Sequence, residues 1–282
     1  MDTLQNSISS SSIISTIRLA LNSIGADLKT WILVEGPDDV KIYRKFFNSS
    51  MVSVNAAKLD NGVKNCDSVD VSVKELLKIS SNIIGIRDRD YLFYNPSYST
   101  QSNIFFTDKR DIEMTMLSSE AYKTMMCEYP IEDYDNIISK ALFKATYLGF
   151  IRLMNDCFNL EYKFKDLSYY YIFGPTCENV DWKNKLISKI NINSLSKKRE
   201  LTLDSVPDFV EANAYEKEDP FLICCGHDMI NLLALSISDL AATKKTLPGL
   251  LRTSYSMAIF KKTELYDLLE KWSNSTGVKL FN

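Results

Sequence analysis

The chain has 282 residues, 45% of them apolar and 24% charged. That length suits one large domain or two modest ones, and the composition excludes disorder over most of it. Its 33 basic and 36 acidic residues leave a net charge of −3 with an isoelectric point near 5.4. A bulk basic footprint for nucleic acid is thereby excluded; a polyanion would have to be held by a local patch or by metal ions.

Taken in chain order, residues 1–27 form a Ser-rich, mobile start followed by the helical rhythm of Ile13, Ile14, Ile17, Leu19, Leu21 and Ile24. Thr30–Val34 (TWILV) is a short apolar run that stops at Glu35-Gly36-Pro37, which predicts a buried strand. Pro37 suits the first turn of a helix, and Asp38 and Asp39 favour its positive end. Val40, Tyr43, Phe46 and Phe47 give that helix an apolar stripe. Residues 52–59 predict a second strand, Asn61-Gly62 a turn, and Val69, Val73, Leu76, Leu77 and Ile79 a second helix. A third strand over 82–87 (NIIGIR) runs into Asp88-Arg89-Asp90, a fourth covers 104–107, and 111–117 begins another helix. Strand and helix alternate here at the spacing of a parallel α/β sheet.

Beyond Ser118 amphipathic segments dominate: 119–128, 131–158, 178–191, 204–216, 227–242 and 263–273. Tyr169–Phe173 and Phe221–Cys225 interrupt them as apolar, strand-like runs, and 221–228 is expected to return to the sheet. The fold class is therefore α/β: a mainly parallel sheet flanked by helices over 28–120, then a largely helical extension over 121–282.

Several chemistries drop out. Glycine is scarce, nine residues against roughly 20 at ~7% usage, and no G-x-x-x-x-G-K-[ST] run is present, so the chain is not its own P-loop ATPase. Six cysteines form no C-x-x-C pair and His227 is the single histidine, which argues against zinc. No apolar run approaches a membrane span of roughly 18 residues, and the start lacks the pattern of a secretory signal. Cysteines in that setting read as the reduced thiols of a cytoplasmic protein.

Three acids sit where strands end: Glu35 after the first, Asp88 and Asp90 after the third. Ligands of open α/β sheets bind outside the carboxyl ends of the strands. Residues i and i+2 of an extended segment face the same way, so Asp88 and Asp90 would share a pocket. Convergent carboxylates repel without a cation, and Mg²⁺ takes such oxygen ligands while keeping waters for a substrate phosphate. The competing explanation is that acids after strands cap helices or line solvated turns, as Asp38 and Asp39 do.

The runs VEGPDDVKIYRKFF, IGIRDRD and FFTDKRDIE resemble the TOPRIM-like proteins of the domain of unknown function 4435 family. That family includes the AriB-type effectors of PARIS anti-phage systems, and it is similar to the OLD-family TOPRIM nucleases. Glu35-Gly36 and Asp88-x-Asp90 match the two TOPRIM motifs over about residues 28–120, with a weak extension to GHDMINLL (226–233). The resemblance implies a metal-dependent nuclease and toxic anti-phage effector. Glu35, Asp88 and Asp90 would be its Mg²⁺ ligands (Mn²⁺ as a substitute), with Glu35 alternatively the base. It also implies RNA such as tRNA in preference to DNA, a homodimer, and an AAA/ABC-type, AriA-like ATPase that holds the effector inactive. Fold alone does not settle function. A non-catalytic TOPRIM-like adaptor of the ATPase and a small-nucleotide phosphohydrolase are the alternatives.

Lys109 or Arg110 would stabilise charge developing on phosphate. Asp111 and Glu113 are candidates for a second metal site, with Asp39 and His227 as further candidates near the first. The plain alternatives are a helix cap with surface ion pairs for 109–113, and a structural histidine for His227. Tyr91, Tyr94, Tyr98 and Tyr169–Tyr171 offer faces for unpaired bases, though tyrosines more often pack. Lys197-Lys198-Arg199, Lys244-Lys245 and Lys261-Lys262 are basic clusters that either guide a phosphate backbone or form solvated faces.

Overall fold

The computed structural model describes residues 10–21, 29–57, 65–95, 97–237 and 240–281; the predicted turn at Asn61-Gly62 lies outside them. The chain divides into two compact units. One comprises residues 1–89, 98–108 and 257–282, the other 90–97 and 109–256.

The first unit opens with α1 (Ser10–Leu21), β1 (Thr30–Val34), α2 (Pro37–Tyr43), β2 (Val52–Ala56), α3 (Asn65–Leu76), β3 (Ile83–Arg87) and β4 (Ile104–Phe106). The four strands form one all-parallel sheet in the order β2-β1-β3-β4. Every residue of β1 and β3 is buried, whereas β2 and β4 are only partly so. This is the pattern of a parallel sheet covered on both faces, whose central strands read as continuous apolar runs. Trp31, Leu33 and Ile83 pack with Ile17 of α1 and with Val69, Val73 and Leu76 of α3. Gly36 precedes α2, and Asp39 turns back to accept the Gly36 N–H at 2.8 Å.

The second unit is helical. It contains α4 (Ile112–Leu117), α5 (Glu120–Met126), α6 (Tyr134–Phe158), α7 (Tyr169–Phe173), α8 (Trp182–Asn193), α9 (Ser205–Ala212), α10 (Pro220–Ile223), α11 (Gly226–Ser236) and α12 (Leu240–Ser254). Two expectations are corrected here. Tyr169–Phe173 and Phe221–Cys225 are not strands: the first is α7 and the second forms α10 and its exit. Segment 221–228 therefore contributes nothing to the sheet, and runs through α10 into the start of α11. Local chemistry explains the miss. Asp219 accepts the Phe221 N–H at 3.0 Å and Pro220 occupies the first helical position, a helix start that outweighs a short apolar run. Gly174, at φ +76, ends α7.

α10 packs so closely on α6 that a Cβ at Gly149 would lie 2.5 Å from the Ile223 carbonyl oxygen. The buried Tyr91 hydroxyl reaches the carbonyls of Gly149 and Ile223, at 3.0 and 2.9 Å; its single proton serves one at a time.

The chain returns to the first unit with α13 (Met257–Phe260) and α14 (Glu264–Thr276). Phe260 stacks on Phe46 at 4.5 Å, and Phe281 stacks on Phe47 at 5.3 Å. The Asp108 carboxylate accepts the N–H groups of Glu264 and Leu265 at 2.7 and 3.0 Å, satisfying donors at the start of α14. Segment 263–273, grouped by its sequence with the helical extension, thus belongs to the sheet unit. No helix among the described residues is long and apolar enough to cross a membrane.

Two predictions follow from packing. Gly149→Ala drives a methyl group into backbone and is expected to cost about 1–3 kcal/mol. Gly249→Ala in α12, where a Cβ meets nothing within 4 Å, is expected to stabilise by up to about 1 kcal/mol; urea denaturation checks both signs. Cys127 and Cys157 are exposed while Cys177 and Cys224 are buried, and burial pushes the Cys224 thiol up to about 12. Native alkylation is expected at Cys127 and Cys157, with Cys177 and Cys224 labelled only after denaturation, as read by peptide mapping.

Candidate metal centre

β1 and β3 are hydrogen-bonded neighbours at the centre of the sheet, with Val34 opposite Ile86. Their carboxyl ends therefore deliver Glu35 and Asp88 to the same edge. Glu35 Oε1 accepts the Asp88 N–H at 3.2 Å, and both side chains are half-buried. Beneath them the Arg87 side chain is only 2% exposed. Its Nε lies 3.9 Å from Glu35 Oε1, one terminal nitrogen pairs with Asp70 of α3, and its carbon centre stands 5.9 Å from the Phe106 ring. Burial raises the Asp70 carboxyl above its ordinary range, and the Arg87 charge opposes that rise. Two carboxylates, Glu35 and Asp70, thus face one buried guanidinium.

Among the described residues no group of three or more His, Cys, Asp or Glu side chains is placed to hold a metal ion. In the sheet unit Glu35 and Asp88 stand at the carboxyl ends of adjacent strands, joined by the hydrogen bond from the Asp88 N–H. Hard oxygen ligands of this number fit Mg²⁺, which uses one or two carboxylates and fills its octahedron with water and substrate phosphate.

Asp90 departs from the expected geometry. β3 ends at Arg87, and the backbone does not stay extended through 88–90: Asp90 lies at φ +45, a left-handed conformation that Asp tolerates better than most residues. The alternation expected to point Asp88 and Asp90 the same way is therefore absent. Within the helical unit the Asp90 N–H donates to the Arg110 carbonyl at 2.7 Å, and its carboxylate sits 3.4 Å from the Arg110 guanidinium.

Several of the other candidates are engaged by internal partners, and the rest are half-buried or exposed. Lys109 pairs with Asp219 at 2.7 Å. Arg110 lies over the Tyr91 ring at 4.6 Å and contacts Asp111 at 3.1 Å. Asp111 is the N-cap of α4: it accepts the Met114 N–H at 2.9 Å and the Gly226 N–H at 2.8 Å. A Cβ on Gly226 would sit 2.6 Å from the Asp111 carboxylate and 2.4 Å from the Glu113 Cβ, so glycine is what lets α11 approach α4. Glu113 lies half-buried in the first turn of α4. Asp39 caps α2, as described above. His227 is exposed at the second position of α11. Lys197 pairs with Glu200 at 3.2 Å and Lys198 with Glu161 at 3.5 Å; Arg199 is exposed. The side chain of Lys244 is outside the described set, while Lys245, Lys261 and Lys262 are exposed.

Sequence reasoning missed a buried, doubly hydrogen-bonded charge pair of the helical unit. Asp228, 1% exposed, receives two hydrogen bonds from Arg152 of α6 at 2.7 and 2.9 Å and a third from the Tyr169 hydroxyl. Burial opposes the charge on Arg152, but the Asp228 carboxylate more than compensates and holds the guanidinium firmly protonated. Burial and then Asp228 push the Tyr169 hydroxyl up in the same way. The one available signal was Asp228 at a helix start; its partner lies 76 residues away and carries no local pattern.

Neither the protein-family models nor the curated proteins give a match to this chain.

Arg152→Leu strands a buried carboxylate and is expected to destabilise by about 3–5 kcal/mol, much of it recovered in Arg152→Leu/Asp228→Leu. Urea denaturation of the single and double variants measures the difference.

Proposed function

We propose that this protein is a Mg²⁺-dependent phosphodiester hydrolase of TOPRIM type that acts on nucleic acid. The observation that supports this most directly is the placement of Glu35 and Asp88 at the carboxyl ends of two adjacent central parallel strands, the position where open α/β sheets bind ligands. Glu35 and Asp88 would hold the ion. When bound, Mg²⁺ supplies charge neutralisation at the phosphate and a more acidic water. Within the chain, the Asp88 N–H orients the Glu35 carboxylate. Buried Arg87 lies 3.9 Å from Glu35, so the Glu35 carboxylate is oriented before substrate arrives.

The resemblance extends the proposal to a toxic effector of anti-phage defence. RNA such as tRNA is its substrate, an ATPase partner restrains it, and it acts as a homodimer. Asp90, which the resemblance also assigns, and Lys109, proposed from its place just before α4, are held by Arg110 and Asp219 in the helical unit and carry no step. A second reading is favoured by the lack of a three-carboxylate group among the described residues: a non-catalytic TOPRIM-like adaptor that binds the ATPase.

Glu35→Gln and Asp88→Asn are each expected to lower Mg²⁺-dependent cleavage of total RNA by at least about a hundredfold and to relieve toxicity on expression, with circular dichroism unchanged. EDTA should stop wild-type cleavage. Undiminished cleavage and toxicity in both variants would sink the hydrolase reading. Absence of Mg²⁺ binding by calorimetry, with ATPase binding intact, would establish the adaptor.

A further inference from the structure

The chain is acidic overall, yet residues 182–199 contain six cations and no acid: Lys183, Lys185, Lys189, Lys197, Lys198 and Arg199. Most of this stretch is α8, whose Trp182, Leu186, Ile187 and Ile190 are buried. The i, i+4 spacing puts Lys185 and Lys189 on one side of the helix, about 6 Å apart along its axis. That side lines a cleft of about 270 Å³ with Tyr171, Asp181, Asn184, Ser188 and Ile192. Tyr171 is 60% exposed, and the Lys185 ammonium lies 5.1 Å from its ring centroid. Asn184 donates to Asp181 at 2.7 Å, so the rim also carries amide and carboxylate groups able to meet the polar edge of a base or a sugar hydroxyl. Unlike Lys197 and Lys198, neither Lys185 nor Lys189 is paired with a carboxylate among the described residues.

An exposed aromatic ring beside two unneutralised lysines at this separation is the arrangement by which proteins hold unpaired strands: bases stack on the ring while ammonium groups follow the phosphates. We infer that the cleft between Tyr171 and α8 binds single-stranded nucleic acid, with a base against Tyr171 and successive phosphates at Lys185 and Lys189. The inference rests on the reading of a polynucleotide as substrate and adds where the strand is held. An anionic lipid surface would also answer to exposed lysines and apolar side chains, but a concave cleft rimmed by Asn184, Ser188 and Asp181 suits a base better than an acyl chain.

The test is fluorescence anisotropy of the full chain with a labelled oligouridine in EDTA, where metal-dependent cleavage is stopped, over a salt series. Tyr171→Ala is expected to weaken binding about 5- to 150-fold, and Tyr171→Phe to preserve it. Lys185→Ala/Lys189→Ala should reduce the slope of log affinity against log salt by about 1.4. All three positions reach the surface, and circular dichroism verifies the fold of each variant. Wild-type affinity and slope in both the Tyr171→Ala and the double lysine variant would overturn the assignment. So would binding to phosphatidylserine vesicles, but not to oligouridine, through the same residues. Residue-dependent binding without cleavage in Mg²⁺ would remove the hydrolase reading and keep the surface; cleavage with unaltered binding by the variants would do the reverse.

Discussion

The buried guanidinium of Arg87 is the constraint around which the sheet unit is arranged. A charge this deeply enclosed is stable only when it is paired and hydrogen-bonded, and its partners come from two elements: Asp70 of α3 and Glu35 at the end of β1. Pairing Arg87 therefore ties α3 to the sheet through the hydrogen bond to Asp70 and draws the Glu35 carboxylate toward it by charge alone, at 3.9 Å. The Asp88 N–H then completes the Glu35 environment from the neighbouring strand. Because β1 and β3 are buried throughout, neither strand end has freedom to drift. The two acids inherit the rigidity of the most buried part of the unit.

The helical unit uses the same physics for a different end. Asp228 and Asp111 are buried carboxylates too, but each is saturated by donors: Arg152 and Tyr169 for one, Gly226, Met114 and Arg110 for the other. A carboxylate with that many donors has little left with which to bind a metal, and it serves to lock helices. Glu35 and Asp88 are half-buried at strand ends, at the edge where open α/β sheets bind ligands. On α8, Lys185 and Lys189 are half-buried and pair with no carboxylate among the described residues, which leaves their charge available in the proposed strand-binding cleft.

Much of this was legible from residues alone. TWILV and NIIGIR announced buried central strands because a parallel sheet covered on both faces needs no polar alternation. Glu35 and Asp88 followed from where those runs stop, and the capping role of Asp39 from its place in the first turn after Gly36. Asp90 was misjudged because i, i+2 alternation presumes extended backbone, and Asp adopts the left-handed turn observed. Tyr169–Phe173 and Phe221–Cys225 were misjudged because a short apolar run does not distinguish a strand from a buried helical turn.

Local pattern by itself thus determined the parallel α/β class, the order of its first four strands along the chain and the two acids at their ends. These depend on interactions between residues close in sequence: burial periodicity, turn chemistry and caps. The tertiary structure alone decided that β1 and β3 are neighbours, that Arg152 meets Asp228, and that residues 257–282 join the sheet unit. It also decided that Lys185 and Lys189 face Tyr171 across a cleft. Each of those pairings joins residues separated by intervening elements, and its energy is set by burial and complementary charge, which no local stretch of sequence records.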